Sequence, residues 1–226
     1  MLTNTNIKVD NQNLSCYDKS DLHERRYTKM SETNVTANEE VIKETKKTAG
    51  KMKPLDLAYI GMFVALMAIC SWINIPMTVP FTLQTFAVFA AVAMLGLWRG
   101  TVAVLVYIIL GAIGVPVFAG FSGGFGALLG QTGGYIIGFI FTALISGGMM
   151  KAFGKKIPVM IIAMVLGLIA CYAFGTVWFM YVYGQANGAI GVATALSWCV
   201  FPYIIPDLCK IALAIFLDKR LARFIK

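Results

Sequence analysis

The chain has 226 residues, of which 58% are hydrophobic and only 13% charged, with a formal net charge of +8. An ordinary soluble domain is nearer a quarter charged, and the few charges here are unevenly placed. Residues 1–53 hold ten of the 19 Lys and Arg and eight of the 11 Asp and Glu, which leaves nine and three for residues 54–226. So sparse a set of charges cannot cover a surface that faces water, so a soluble globular enzyme is excluded and a membrane domain behind a polar tail is expected.

The basic balance would ordinarily point to nucleic acid. Outside the tail, however, the cations stand singly or in short clusters between apolar runs, as membrane topology requires. The five cysteines (Cys16, Cys70, Cys171, Cys199 and Cys209) show no CxxC spacing, and four of them lie in or beside apolar stretches. They read as small hydrophobes, not as a disulfide or metal framework.

In chain order, residues 1–50 are rich in Asn, Thr, Lys and Glu and show no sustained period. Such a stretch buries too little apolar surface to offset its ordering entropy, so 1–52 is expected to be a disordered polar tail. It contains no apolar core of a cleavable signal peptide. From residue 53 the apolar runs 55–75, 81–97, 101–117, 133–150 and 158–183 follow one another, with a last run ending at 217. Several approach the roughly 17–25 residues that span a bilayer, and backbone groups in lipid must be satisfied internally, so each is expected to be a helix.

The region 189–217 is too long for one simple span and is interrupted by Pro202 and Pro206. It is two spans, or one span with a re-entrant or interfacial lead-in. Charge chooses between them. With six spans, one side receives Lys51, Lys53, Arg99, Lys151, Lys155, Lys156, Lys219, Arg220, Arg223 and Lys226, while the opposite loops, 76–80, 118–132 and 184–188, carry no Lys or Arg. A seventh span would put the basic C-terminus outside. The expected fold is therefore an all-α membrane protein with six transmembrane helices, a lead-in before the last, and both termini cytoplasmic.

Two ionisable residues fall inside an apolar run, Asp207 and Lys210. Each costs about 2.5–3.5 kcal/mol at a helix centre on insertion scales, so such residues usually face a cavity or each other. Spacing i, i+3 puts them on one face, one turn apart. Eleven residues separate Asp207 from Asp218, about 17 Å of helix, which places Asp207 near mid-membrane. A plainer reading has Pro206 in a first turn and Asp207 capping free N–H groups. That reading leaves the buried ammonium of Lys210 unexplained, and a ligand site is preferred.

The uncharged side carries glycines interleaved with aromatics, from Pro116 through Phe118, Phe121 and Gly126 to the turn Gly130-Gln-Thr-Gly133-Gly134-Tyr135. Glycine permits close backbone approach and the rings supply apolar walls; alternatively the glycines merely let helices pack. The first outer loop, 75–84, is stiffened by two prolines and carries Thr82 and Gln84, followed by Thr85, as a lid or as an ordinary turn. The sequence Gly120-Phe-Ser122-Gly123 matches the GxSG of intramembrane serine proteases, but His23 is the only histidine, so no residue after it can take the serine proton. HExxH zinc chemistry fails likewise, and no P-loop is present. Neither an enzyme nor a resident metal or cofactor is expected.

The runs Val79-Pro-Phe-Thr-Leu-Gln-Thr-Phe86 and Leu110-Gly-Ala-Ile-Gly-Val-Pro-Val-Phe-Ala-Gly-Phe-Ser-Gly-Gly124, the turn Thr132-Gly-Gly-Tyr135 and the late Asp207-x-x-Lys210 resemble the BioY family, over about residues 53–226 in order. Its members are biotin-specific S components of energy-coupling factor transporters. The resemblance implies a multi-pass protein of the bacterial plasma membrane, with six helices, an outward-facing vitamin pocket under the first outer loop, and no ATPase of its own. It further implies a transmembrane coupling protein and two cytosolic ATPase subunits as partners, met through small residues of the first helix, here Ala58, Gly61 and Ala65.

Biotin suits the residues chemically. Asp207 would accept from a ureido N–H, and Lys210 would donate to the ureido carbonyl or a bridging water. Phe81, Phe118, Phe121 and Tyr135 would wall the apolar part. Backbone N–H groups of the glycine loops, including Gly133 and Gly134, or Thr82 and Gln84 would meet the valerate carboxylate. The competing expectation is a stand-alone ion-coupled carrier of biotin or a similar vitamin. Such carriers usually show a chain of intramembrane carboxylates or inverted repeats, whereas this chain has one carboxylate within a span.

Overall fold

The computed structural model describes residues 53–75, 77 and 79–221; the polar tail 1–52 and the last cations, Arg223 and Lys226, lie outside the described residues. Helix α1 (Pro54–Trp72) is followed by a two-residue hairpin, β1 (Asn74–Ile75) and β2 (Phe81–Thr82), paired antiparallel with Asn74 opposite Thr82. Helix α2 runs Gln84–Ala112, a 3₁₀ turn covers Ala119–Phe121, and α3 (Phe125–Leu129) leads to α4 (Gly133–Phe153). Helices α5 (Ile157–Asn187), α6 (Val192–Cys199) and α7 (Phe201–Leu221) complete the chain.

Four helices, α1, α2, α4 and α5, are long and apolar enough to cross a membrane, and α6 with α7, which meet at 40°, bring the number to five. Their outer faces are apolar as well: Ile69, Ile109, Ile161 and Phe216 are all exposed. A helix apolar on every side is a helix meant for lipid.

Helix α2 is not straight. Twenty-nine residues would extend about 44 Å, but Gly96 adopts φ 80°, ψ −176°, a conformation open to glycine and strained for other residues. The chain turns back there. A Cβ on Gly100 would stand 2.9 Å from the Cα of Val92, and Gln84 Nε2 donates to the Tyr107 hydroxyl at 2.8 Å. Residues 84–95 and 97–112 therefore lie side by side as a helical hairpin. The sequence places the break at the Arg99 punctuation; the structure moves it to Gly96, where backbone freedom is available.

Two ends of the bundle result. At one, Arg99 pairs with Asp56 at 3.1 Å, Lys155 pairs with Asp218 at 3.8 Å and donates to the Ala93 carbonyl, and Lys219 donates to the Lys155 carbonyl at 3.2 Å. At the other, side chains tie the loops down. Ser71 Oγ donates to the Val117 carbonyl at 2.5 Å, Trp72 Nε1 to that of Pro116 at 2.9 Å, and Trp178 Nε1 to that of Gly130 at 3.0 Å. The core between the ends is built from Phe63, Met67, Phe89, Tyr107, Met164 and Phe179.

One local expectation is corrected. Helix α7 begins at Phe201, so Pro206 lies inside it and Asp207 is no N-cap. The lead-in α6 ends at Cys199, and Pro202 occupies the early position that the sequence assigns to Pro206.

Candidate functional site

Asp207 and Lys210 project from α7 toward the start of α2 and the middle of α5, and are only 3% and 5% exposed. Lys210 Nζ donates to Asp207 Oδ1 at 2.7 Å, to Thr85 Oγ1 at 3.0 Å and to the Thr82 carbonyl at 2.6 Å. Its ammonium also lies 4.3 Å from the centre of the Phe81 ring, a favourable cation–π distance. Thr85 passes its own proton to Asp207 Oδ1 at 3.0 Å, and Tyr172 on α5 donates to Oδ2 at 2.5 Å. The pair is thus bonded from three elements: α2, α5 and the β2 strand. Low dielectric makes such a network strong when every member is matched, and no buried side-chain nitrogen or oxygen among the described residues lacks a partner.

Beside this network is a cavity of about 790 Å³, counting its open mouth. Asp207, Lys210, Thr85 and Tyr172 form its polar wall; Phe118, Tyr135, Ile136 and Phe139 form an apolar one. Val79 and Pro80 from the first loop, and Ala119 and Ser122 from the glycine-rich loop, line its loop end. The first loop is held there by Tyr203 of α7, whose hydroxyl donates to the Val79 carbonyl and whose ring stacks on Phe81 at 6.3 Å.

The sequence-derived residues separate into two groups. Asp207, Lys210, Tyr135, Gln84, Thr82 and Phe118 line the cavity. Phe81 sits behind Lys210, touching the ammonium in place of the void. Phe121 does not form a wall: it is 62% exposed, has φ 58°, and stacks on Trp72 at 4.9 Å. Gly133 and Gly134 are absent from the lining as well, because both serve close packing. A Cβ on Gly133 would meet the Leu128 carbonyl oxygen at 1.6 Å, and one on Gly134 would meet Trp178 Cβ at 2.3 Å.

Lys210 is expected to donate to a ureido carbonyl or a bridging water. An ammonium has three N–H donors, and all three are taken by protein acceptors. Sequence reasoning missed Tyr172, Phe139, Cys171, Cys199 and Tyr203, all of which line the cavity. For Tyr172 a signal existed. A phenol in the middle of a long apolar run must find a partner for its hydroxyl, and the available charged partner is Asp207.

Residues 43–226 match the sequence profile of the BioY family. The chain belongs to that family. The match begins ten residues before the resemblance traced from residue 53, within the polar tail. A probable biotin transporter BioY of Pyrococcus horikoshii is 38% identical over 171 residues, covering 75% of this chain and 98% of the relative. A biotin transporter BioY of Thermotoga maritima is 39% identical over 164 residues, covering 72% and 93%. The fold is similar, with a TM-score of 0.67 and 28% identity, to the 2.1 Å crystal structure of the S-component for biotin from an ECF-type ABC transporter, covering 74% of this chain and 90% of that one.

Proposed function

We infer that this protein is the biotin-binding S component of an energy-coupling factor transporter: it captures biotin at the outer face, catalyses no reaction, and releases the vitamin inside on association with a transmembrane coupling protein and two ATPase subunits. The single observation that carries this reading is the Asp207 carboxylate, buried at the wall of the cavity and still able to accept a further hydrogen bond. A ureido N–H meets that need. The thioether ring then lies against Phe118, Ile136, Phe139 and Tyr135. The valerate carboxylate is read as lying toward the loops, where Gln84 and Thr82 face the void. Thr82 Oγ1 accepts the Gln84 N–H at 3.4 Å, which leaves its own proton to give.

The reading includes six membrane crossings, with 84–95 and 97–112 counted separately. The turn at Gly96 supports it, and so do the basic residues Lys53, Arg99, Lys151, Lys155, Lys156, Lys219 and Arg220, which fall where the path turns on one side. The positive-inside rule makes that side cytoplasmic. Ala58, Gly61 and Ala65 are exposed on the outer face of α1, while Ile60, Phe63, Val64 and Met67 on its other face are buried. A Cβ on Gly61 would meet nothing within 4 Å. Small residues on a lipid-facing stripe let another helix approach closely, which suits docking of the coupling protein.

Calorimetric titration of the purified full chain with biotin in detergent tests the reading. One biotin per chain, bound tightly, is expected. No heat and no displacement of labelled biotin would refute it.

A further inference from the structure

We propose that Tyr172 is the donor to the ring carbonyl of the bound ligand, and that its hydroxyl switches partners when the cavity fills. The proposal rests on the reading of the ligand as a cyclic urea.

A cyclic urea held in a buried site brings N–H donors and a carbonyl acceptor, and each must be matched. The carbonyl needs a protein donor. Lys210 has none left, since its three N–H groups go to Thr82, Thr85 and Asp207. Thr85 has one proton, and it goes to Asp207 Oδ1. Gln84 Nε2 gives one of its two protons to Tyr107, which donates on to the Val117 carbonyl. The second Gln84 proton and that of Thr82 Oγ1 are read above as serving the ligand carboxylate, and the Tyr135 hydroxyl shares one bond with Thr176 at 3.0 Å. Tyr172 is set apart by its place, directly beside the carboxylate that a ligand N–H would meet. Its ring lines the cavity, and its proton serves only Asp207 Oδ2, the same oxygen that a ligand N–H would seek.

The exchange is therefore self-consistent. In the empty site Tyr172 donates to Asp207 Oδ2. On filling, the ligand N–H takes that place on Oδ2, and the phenol O–H rotates about its C–O bond toward the ligand carbonyl. One hydrogen bond is replaced by two, the carboxylate stays charged and matched throughout, and no proton changes owner. Tyr172 thus stands in for the ligand while the cavity is empty, which keeps a buried carboxylate from being left half-bonded. Lys210 and Thr85 hold Oδ1 in both states, so the carboxylate does not turn.

The residue should then set specificity at the carbonyl position, because a site built to hydrogen-bond a group rejects analogues that cannot reciprocate. The test compares biotin with 2-iminobiotin, in which an imino group that is protonated at neutral pH replaces the carbonyl oxygen and offers only donors. Both ligands are titrated against the wild-type full chain and Tyr172→Phe. The variant should bind biotin roughly tenfold more weakly while 2-iminobiotin binds unchanged or more tightly, so the preference for biotin narrows by about that factor. Equal loss for both ligands, or no loss for biotin, would overturn the proposal. Wild-type protein that binds no biotin would instead refute the reading beneath it.

Should Tyr172→Phe fail to fold, 3-fluorotyrosine placed at position 172 keeps the phenol and strengthens it as a donor. The infrared band of biotin labelled with ¹³C at the ureido carbonyl should then move to lower frequency. An unmoved band overturns the assignment.

Discussion

Two kinds of ion pair occupy the two ends of this bundle. Asp56–Arg99 and Lys155–Asp218 stand where the path turns among basic residues, and each sets a half-exposed cation (43% and 44%) against a largely buried carboxylate (12% and 4%). Water can solvate each of those cations if its partner is lost. Asp207–Lys210 is different: its side chains are 4% and 6% exposed, and a cavity adjoins it. A pair whose cation stays in water contributes little, whereas a pair buried on both sides gains little net stability over an apolar replacement yet costs dearly when half of it is removed. Net stability therefore does not account for the inner pair. The inner pair has to be explained by what fills the space beside it.

The largest effect that would sharpen this contrast comes from breaking the inner pair. Asp207→Asn alone, or Lys210→Met alone, should lower stability by about 3–5 kcal/mol, seen as an early thermal transition in detergent, and should remove biotin binding. A thermal transition at the wild-type temperature in either variant would erase the distinction between the two ends. Next in size is Gly175→Ala. Its new Cβ would stand 2.2 Å from the Tyr135 ring, and forced repacking of this kind costs about 1–3 kcal/mol. Because Tyr135 lines the cavity, biotin affinity should fall along with stability, whereas the same added methyl at open Gly61 should leave binding by the isolated protein unchanged.

Smaller again is Tyr203→Phe, which keeps the stack on Phe81 but drops the bond to the Val79 carbonyl. Loss of about 1 kcal/mol from the closed loop should speed biotin release roughly fivefold with little change in the association rate, as stopped-flow fluorescence would report. The smallest effect is expected at the other end. Arg99→Ala should cost at most about 1 kcal/mol and leave biotin affinity as it was; a clear drop in affinity would mean that the two ends are coupled.

Much of this was legible in the sequence, for identifiable reasons. Charge depletion after Lys53 and the apolar runs announced the helices, because lipid tolerates few alternatives. Asp207 and Lys210 stood out because ionisable residues at that depth are costly, and Thr82, Gln84 and Thr85 stood out as polar groups beside a stiff loop. What stayed hidden depended on direction. Phe118 and Phe121 are three residues apart in one glycine-rich loop, yet one faces the cavity and the other leaves it for Trp72; loop periodicity cannot decide that. Gly133 and Gly134 read equally well as ligand contacts or as packing positions until their neighbours, the Leu128 carbonyl and Trp178, are seen. Tyr172 was masked by the apolar run around it, and the demand of its hydroxyl became specific only once Asp207 stood opposite.

The most direct test replaces both members of the inner pair at once. Asp207→Asn combined with Lys210→Met leaves no buried charge unpaired, so its thermal transition should return most of the way from the single variants toward wild type, while labelled biotin should bind at least about 100-fold more weakly, the equivalent of losing charge-assisted bonds of about 3 kcal/mol. A stable double variant that holds biotin as tightly as the wild type would contradict the claim that this pair is kept in the interior for its ligand.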